Sequence, residues 1–158
     1  MKNISISAER SYDVHFVTSW RQTLASMVGD REGIVLAPKS LLSYIDEVPP
    51  GISVIPVADG EDQKSGANFL QALEKIAQSR LSRSGVIVGI GGGATTDLAG
   101  YLAASYLRGI DWIAVPTSLA GMVDASIGGK TGINLDSGKN LAGAFHSPQA
   151  VIIDQSFL

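Results

Sequence analysis

The segment Val86-Ile87-Val88-Gly89-Ile90-Gly91-Gly92-Gly93-Ala94-Thr95-Thr96-Asp97-Leu98-Ala99-Gly100 passes from a β-branched run, through three consecutive glycines, into a helical pattern. The run Val86–Ile90 is short, apolar and bounded by Gly85, as in a strand buried on both faces. Beyond the glycines, Leu98, Tyr101, Leu102, Ala104, Ser105 and Leu107 recur at spacings of three and four, and Gly109 is placed to stop the helix. Three residues without a Cβ predict a sharp turn whose N–H groups approach an anion at the helix N-terminus, and the layout suits a diphosphate. Gly89-Ile90-Gly91-Gly92-Gly93-Ala94 also fits the dinucleotide pattern of spaced glycines ending in alanine. That fingerprint expects an acid about 20 residues later at the end of the next strand, whereas Asp111 begins the strand Trp112–Val115. The plainer reading of the glycines is a turn joining strand to helix.

Outward from this unit the same theme repeats. Tyr12–Val17, Gly33–Leu36 and Ile52–Val57 read as strands, Trp20, Leu24, Met27 and Val28 as a helical stripe, and Phe69, Leu70, Leu73, Ile76, Ala77 and Leu81 as the apolar face of a helix ending near Arg80. Alternating strands and helices predict an α/β, Rossmann-like domain: a mainly parallel sheet with helices on both faces and ligands at the carboxyl ends of the strands. From Pro116 to Gly143, glycines stand among polar residues, which predicts a loop-rich, functional stretch, mobile between Asp124 and Asn140. A last strand, Ala150–Asp154, precedes the final four residues without a closing helix, so residues 1–158 are expected to be the first part of a longer polypeptide.

Composition narrows the function. The 158 residues are 45% hydrophobic and 17% charged, the balance of a globular domain with a core. No apolar run approaches the about 20 residues that cross a bilayer, so no membrane partner is expected. A net charge of −3 disfavours nucleic acid, which needs clustered cations. The lack of cysteine removes disulfides and thiolate chemistry, and a cytoplasmic protein is the simplest reading. His15 and His146 belong to no spacing that assembles a metal site, so no metal ligands are expected within this chain.

Several polar residues carry candidate chemistry. Asp124–Thr131 invites comparison with a nucleoside-triphosphate loop but places Asp124 where that loop needs glycine. Lys130 and Lys139 are suited instead to a phosphorylated or carboxylated small molecule whose hydroxyls Asp124 and Asn140 would bind; the bland alternative is two solvated lysines. Glu61 and Lys64 open a helix after Asp59-Gly60, where a surface i,i+3 pair worth about 0.2–0.5 kcal/mol is the simplest reading. Asp97 is expected in the first turn after the glycines, favourable to the helix dipole and placed to accept from a ribose or nicotinamide.

Taken together, Asp59-Gly60-Glu61 with Lys64, Gly91-Gly92-Gly93 with Asp97, Tyr106-Leu107-Arg108-Gly109, Val115-Pro116-Thr117-Ser118-Leu119, Val123–Ser126, Gly128-Gly129-Lys130-Thr131-Gly132-Ile133-Asn134 and Gly138-Lys139-Asn140 resemble the 3-dehydroquinate synthase family. The resemblance is dense from Asp59 to Asp154. It implies an N-terminal NAD-binding domain of a two-domain enzyme, with the C-terminal helical domain and its divalent metal, zinc or cobalt, supplied beyond Leu158. The family converts 3-deoxy-D-arabino-heptulosonate 7-phosphate, a phosphorylated sugar acid, to 3-dehydroquinate and phosphate in the shikimate pathway, with NAD regenerated in each cycle. By the same resemblance, Asp59, Gly60, Glu61, Lys64, Gly92, Gly93, Asp97, Thr117 and Ser118 contact NAD, as do Lys130 and Lys139, which also serve the substrate with Asp124 and Asn140. Arg108 matches an arginine reaching the neighbouring subunit's substrate, which implies a homodimer. Ala94-Thr95-Thr96 and Ser118 depart from common family residues, and Ala37-Pro38 stand where an acid often meets the adenosine ribose. A related sugar-phosphate cyclase, a polyol dehydrogenase and a stand-alone nucleotide-binding module are the competing readings.

Overall fold

Strong β-branched alternation and capped amphipathic segments resolve into a seven-stranded sheet in a computed structural model that describes residues 1–158. The strands are β1 (Lys2–Ile6), β2 (Tyr12–Val17), β3 (Gly33–Pro38), β4 (Ile52–Val57), β5 (Val86–Gly91), β6 (Asp111–Pro116) and, late in the chain, β9 (Ala150–Asp154). Their order across the sheet is β1-β2-β9-β6-β5-β3-β4. All neighbours are parallel except β1, which pairs antiparallel to β2 at one edge. From β3 the chain moves outward to β4, but from β5 it moves the other way through β6 to β9. The β3/β5 boundary is therefore the topological switch point, where ligands of open α/β sheets bind.

Period-two alternation sends Ile34, Leu36, Ile87, Trp112 and Ala114 to one face and Val35, Val86, Val88, Ile113 and Val115 to the other. The first face packs α2 (Gly66–Gln78) and α3 (Gly93–Ser105) through Phe69, Ile76, Leu98 and Leu102; the second packs α1 (Trp20–Val28) through Trp20, Leu24 and Val28. Helices thus cover both faces, as the pattern predicts. Ser19 caps α1 by accepting from the Gln22 amide, and Ser65 caps α2 by accepting from that of Asn68. Asp154, at the carboxyl end of β9, accepts at 2.9 Å from the Trp20 amide and ties α1 to the sheet.

Four expectations need correction. The glycine-rich stretch after Pro116 holds a π-turn (Gly121–Ala125) and an antiparallel hairpin, β7 (Lys130–Leu135) and β8 (Gly138–Phe145). Its glycines serve strand approach: a Cβ on Gly132 would stand 2.7 Å from the Ala142 carbonyl oxygen, and one on Gly143 would overlap that of Thr131. None of Gly91, Gly92 and Gly93 has a positive φ, so the turn is made without left-handed backbone. Their freedom goes into contact instead, since a Cβ on Gly91 would collide with the Thr95 side chain. Helix α3 begins at Gly93, which puts Asp97 in its second turn, and it ends at Ser105, leaving Leu107 exposed with φ 48°. Glu61 and Lys64 lie on a separate 3-10 helix, Gly60–Lys64, ahead of α2. Edge strand β1, exposed at every position but Ile6, was not foreseen.

Candidate functional site

Helix α3 starts directly from β5 at the switch point, with Gly92 as its N-cap and no side-chain cap. Its first N–H groups therefore have no side-chain acceptor and point beyond the carboxyl edge of the sheet, a geometry that suits an anion. Around this end stand Thr117, whose amide donates to the Gly91 carbonyl at 2.8 Å, and Ser118, whose Oγ accepts from the Gly121 amide at 3.2 Å. A Cβ on Gly92 would lie 3.5 Å from that Oγ, and one on Gly93 would lie 3.0 Å from the Ala125 Cβ. Side chains at either position would narrow the approach to the helix end.

The 3-10 helix brings in Lys64, whose ammonium is buried although its sequence position suggests a surface pair. It donates to Asp97 Oδ2 at 2.8 Å and to Asn140 Oδ1, and lies 3.6 Å from Glu61 Oε1. A buried ammonium needs such partners, because an unpaired charge away from water is costly. Burial pushes the Asp97 carboxyl above its ordinary value, against the opposing pull of Lys64. Glu61 is held below its ordinary value chiefly by the hydrogen bond from Asn134, with help from the charges of Lys64 and Lys139 and against partial burial.

Beside this cluster a cleft of about 510 Å³ lies between α3 and the hairpin. Asp97, Asp124, Lys130 and Asn140 line it together with the apolar side chains of Leu141 and Phe145. Lys130 Nζ stands 3.3 Å from Asp124 Oδ1, both largely exposed. The cleft thus offers a cation, a carboxylate and an amide beside the uncapped helix end, a set able to bind a phosphorylated polyol.

The structure gathers most of the predicted residues. Glu61, Lys64, Asp97 and Asn140 are joined in one network, Gly92, Gly93, Thr117 and Ser118 surround the helix end, and Asp124 and Lys130 face the cleft. Lys139 is exposed on the hairpin and close enough to act on Glu61. Asp59 and Gly60 sit after β4, where Asp59 accepts from the Ser40 amide at 3.0 Å. The Ser40 hydroxyl and then this amide hold its carboxyl below the ordinary value. Arg108 is not brought to the cleft: it is exposed beyond the C-terminal end of α3, opposite the glycines. Asn134 stands out in the sequence only as the end of the Gly128–Asn134 motif, yet its side chain bonds both Glu61 and the Asn140 backbone. His146 is structural, its ring Nε2 2.8 Å from the Ile110 carbonyl. No group of three His, Asp or Glu side chains is arranged to hold a metal ion.

Parallel sheet, switch-point helix end and adjoining polar cleft define a Rossmann-like, nucleotide-binding type of α/β domain. Residues 54–158 match the family described as 3-dehydroquinate synthase N-terminal, and the chain belongs to that family. It is 40% identical over 159 residues to the 3-dehydroquinate synthase of Cutibacterium acnes, covering 100% of this chain and 44% of that protein. Among solved structures it is similar to 2-deoxy-scyllo-inosose synthase complexed with carbaglucose-6-phosphate, NAD+ and Co2+, with TM-score 0.86, 26% identity and coverage of 99% of this chain and 46% of the other. It is also similar to 2-epi-5-epi-valiolone synthase from Streptomyces hygroscopicus subsp. jinggangensis with NAD+ and Zn2+ bound, with TM-score 0.84, 27% identity and coverage of 98% and 46%. The chain spans less than half the length of each of these relatives.

Proposed function

We propose that this chain is the NAD-binding part of a 3-dehydroquinate synthase, acting in the shikimate pathway on 3-deoxy-D-arabino-heptulosonate 7-phosphate. The observation that carries this reading is the convergence of Asp97 and Asn140 on the buried Lys64 ammonium beside an uncapped helix N-terminus. The 40% identity to a dehydroquinate synthase, against 26–27% to cyclases with other products, favours this substrate over theirs.

The residues fit NAD: the N–H groups at Gly92 and Gly93 suit its diphosphate, and no side chain competes for them. Glu61, Lys64, Asp97, Thr117 and Ser118 hold the remainder, with Asp59 and Gly60 just past β4. When bound, NAD would supply an acceptor for hydride from a substrate alcohol, and the ketone so formed in the substrate would make the neighbouring C–H acidic enough for phosphate elimination. Lys130 and Lys139 neutralise the substrate's phosphate or carboxylate, and Asp124 and Asn140 orient its hydroxyls. The Lys64 ammonium fixes Asp97 and Asn140 without solvent reorganisation. In this reading the metal ligands come from the C-terminal part of the enzyme, Arg108 serves the partner's substrate in a cytoplasmic homodimer, and the chain alone is inactive.

The test is phosphate release from 3-deoxy-D-arabino-heptulosonate 7-phosphate by the chain, alone and joined to the C-terminal part of the Cutibacterium relative, with NAD and zinc. Release by the joined protein alone is expected. A folded joined protein that releases no phosphate from this substrate would overturn the assignment, and turnover of a different phosphorylated ketose would redirect it to another cyclase.

A further inference from the structure

The β7–β8 hairpin is irregular at one place, and that place faces the site. Between the paired positions Ile133↔Ala142 and Leu135↔Gly138, Asn134 alone opposes Lys139, Asn140 and Leu141. Such a bulge redirects side chains at the cost of ladder hydrogen bonds. Here Asn140 adopts a left-handed conformation, φ 56°, and its amide donates at 2.9 Å to the Asn134 side-chain oxygen. The other end of the same amide group donates at 3.1 Å to Glu61 Oε1. One half-buried side chain therefore satisfies the bulged backbone of β8 and aims the carboxylate of the 3-10 helix. Both held groups converge on Lys64, which meets Asn140 through its side chain and lies near Glu61.

We propose that Asn134 is a positioning residue, which fixes Asn140 and Lys139 relative to Glu61 and Lys64 and so couples the hairpin to the cofactor side of the site. The proposal rests on the NAD reading for its effect on binding, but its geometric half does not. Asn134 is suited to both tasks because only an amide offers an acceptor and a donor on one short planar group.

The test compares Asn134→Ala and Asn134→Asp with the unaltered chain by amide hydrogen exchange and by NAD titration from pH 5 to pH 8. Asn134→Ala is expected to lose the protection of the Asn140 amide and to weaken NAD binding about tenfold, the scale of a lost hydrogen bond in a partly buried site. Asn134→Asp keeps the acceptor, so the Asn140 amide stays protected, but it sets a carboxylate against Glu61. Asp62 and Asp136 also line this side, and Lys139 and Lys64 act on Glu61 from the other. NAD binding by Asn134→Asp is therefore expected to be weak at pH 8 and to recover toward pH 5, a pH profile that a merely structural asparagine would not produce. Wild-type affinity across the range in both variants would overturn the proposal, as would a protected Asn140 amide in Asn134→Ala. If the unaltered chain bound no NAD, the cofactor reading would fail while exchange at Asn140 still decided the geometric half. Asn134→Asp carries the test should Asn134→Ala not fold.

Discussion

Lys64 is the residue on which the site turns. Its ammonium is buried against Asp97 and Asn140, so removing it leaves Asp97 with a carboxylate that burial already disfavours. Lys64→Met is expected to destabilise the chain by about 3 kcal/mol, the lower end for a broken buried pair because Asp97 keeps some solvent contact, as read by urea unfolding. Glu61 and Asp97 act oppositely with pH. The lowered Glu61 contributes stability that is present above its ordinary value of 4.5 and lost as pH falls through its folded value. The raised Asp97 favours folding while protonated and loses that contribution as pH rises through its folded value. The stability gap between wild type and Glu61→Gln is therefore expected to be widest near neutral pH and to close in acid; a gap unchanged down to pH 3 would contradict it. Little of this was legible in the sequence. A lysine three residues after a glutamate reads as a surface pair, and its partners lie 33 and 76 residues away.

At the scale of elements, continuously apolar strands and helices with an apolar stripe could be read directly. Val86–Gly91 and Asp111–Pro116 bury every position or nearly so, and their β-branched runs announce it. The hairpin could not be read this way, because glycine in its strands marks backbone approach as well as loops. Gly132 and Gly143 sit where the two backbones come closest, and β8 is mostly exposed, so neither propensity nor periodicity reports a strand. Gly143→Ala is expected to cost about 1–3 kcal/mol through overpacking against the Thr131 carbonyl, with exchange protection lost across β7 and β8 first. A variant as stable as wild type would mean that the hairpin shifts freely to accept the methyl. The strand-to-helix turn that leads to Asp97 was legible from its glycines, but the close packing of α3 on β5 that Gly91 permits was not, nor was the placing of Asp97 in the second turn.

For the whole molecule, the parallel order and the reversal between β3 and β5 explain why residues from the 3-10 helix, α3, the π-turn and the hairpin meet at one edge. That convergence was legible as a motif resemblance before it was legible as physics, because no local pattern brings Asp59–Lys64 to Lys130–Asn140. The most direct test is calorimetric titration of the chain with NAD, beside Asp97→Ala, with circular dichroism to establish that both are folded. The account predicts saturable binding of one NAD per chain, weakened tenfold or more by the substitution; a folded chain that binds no NAD, or binds it equally well without the Asp97 carboxylate, would contradict it.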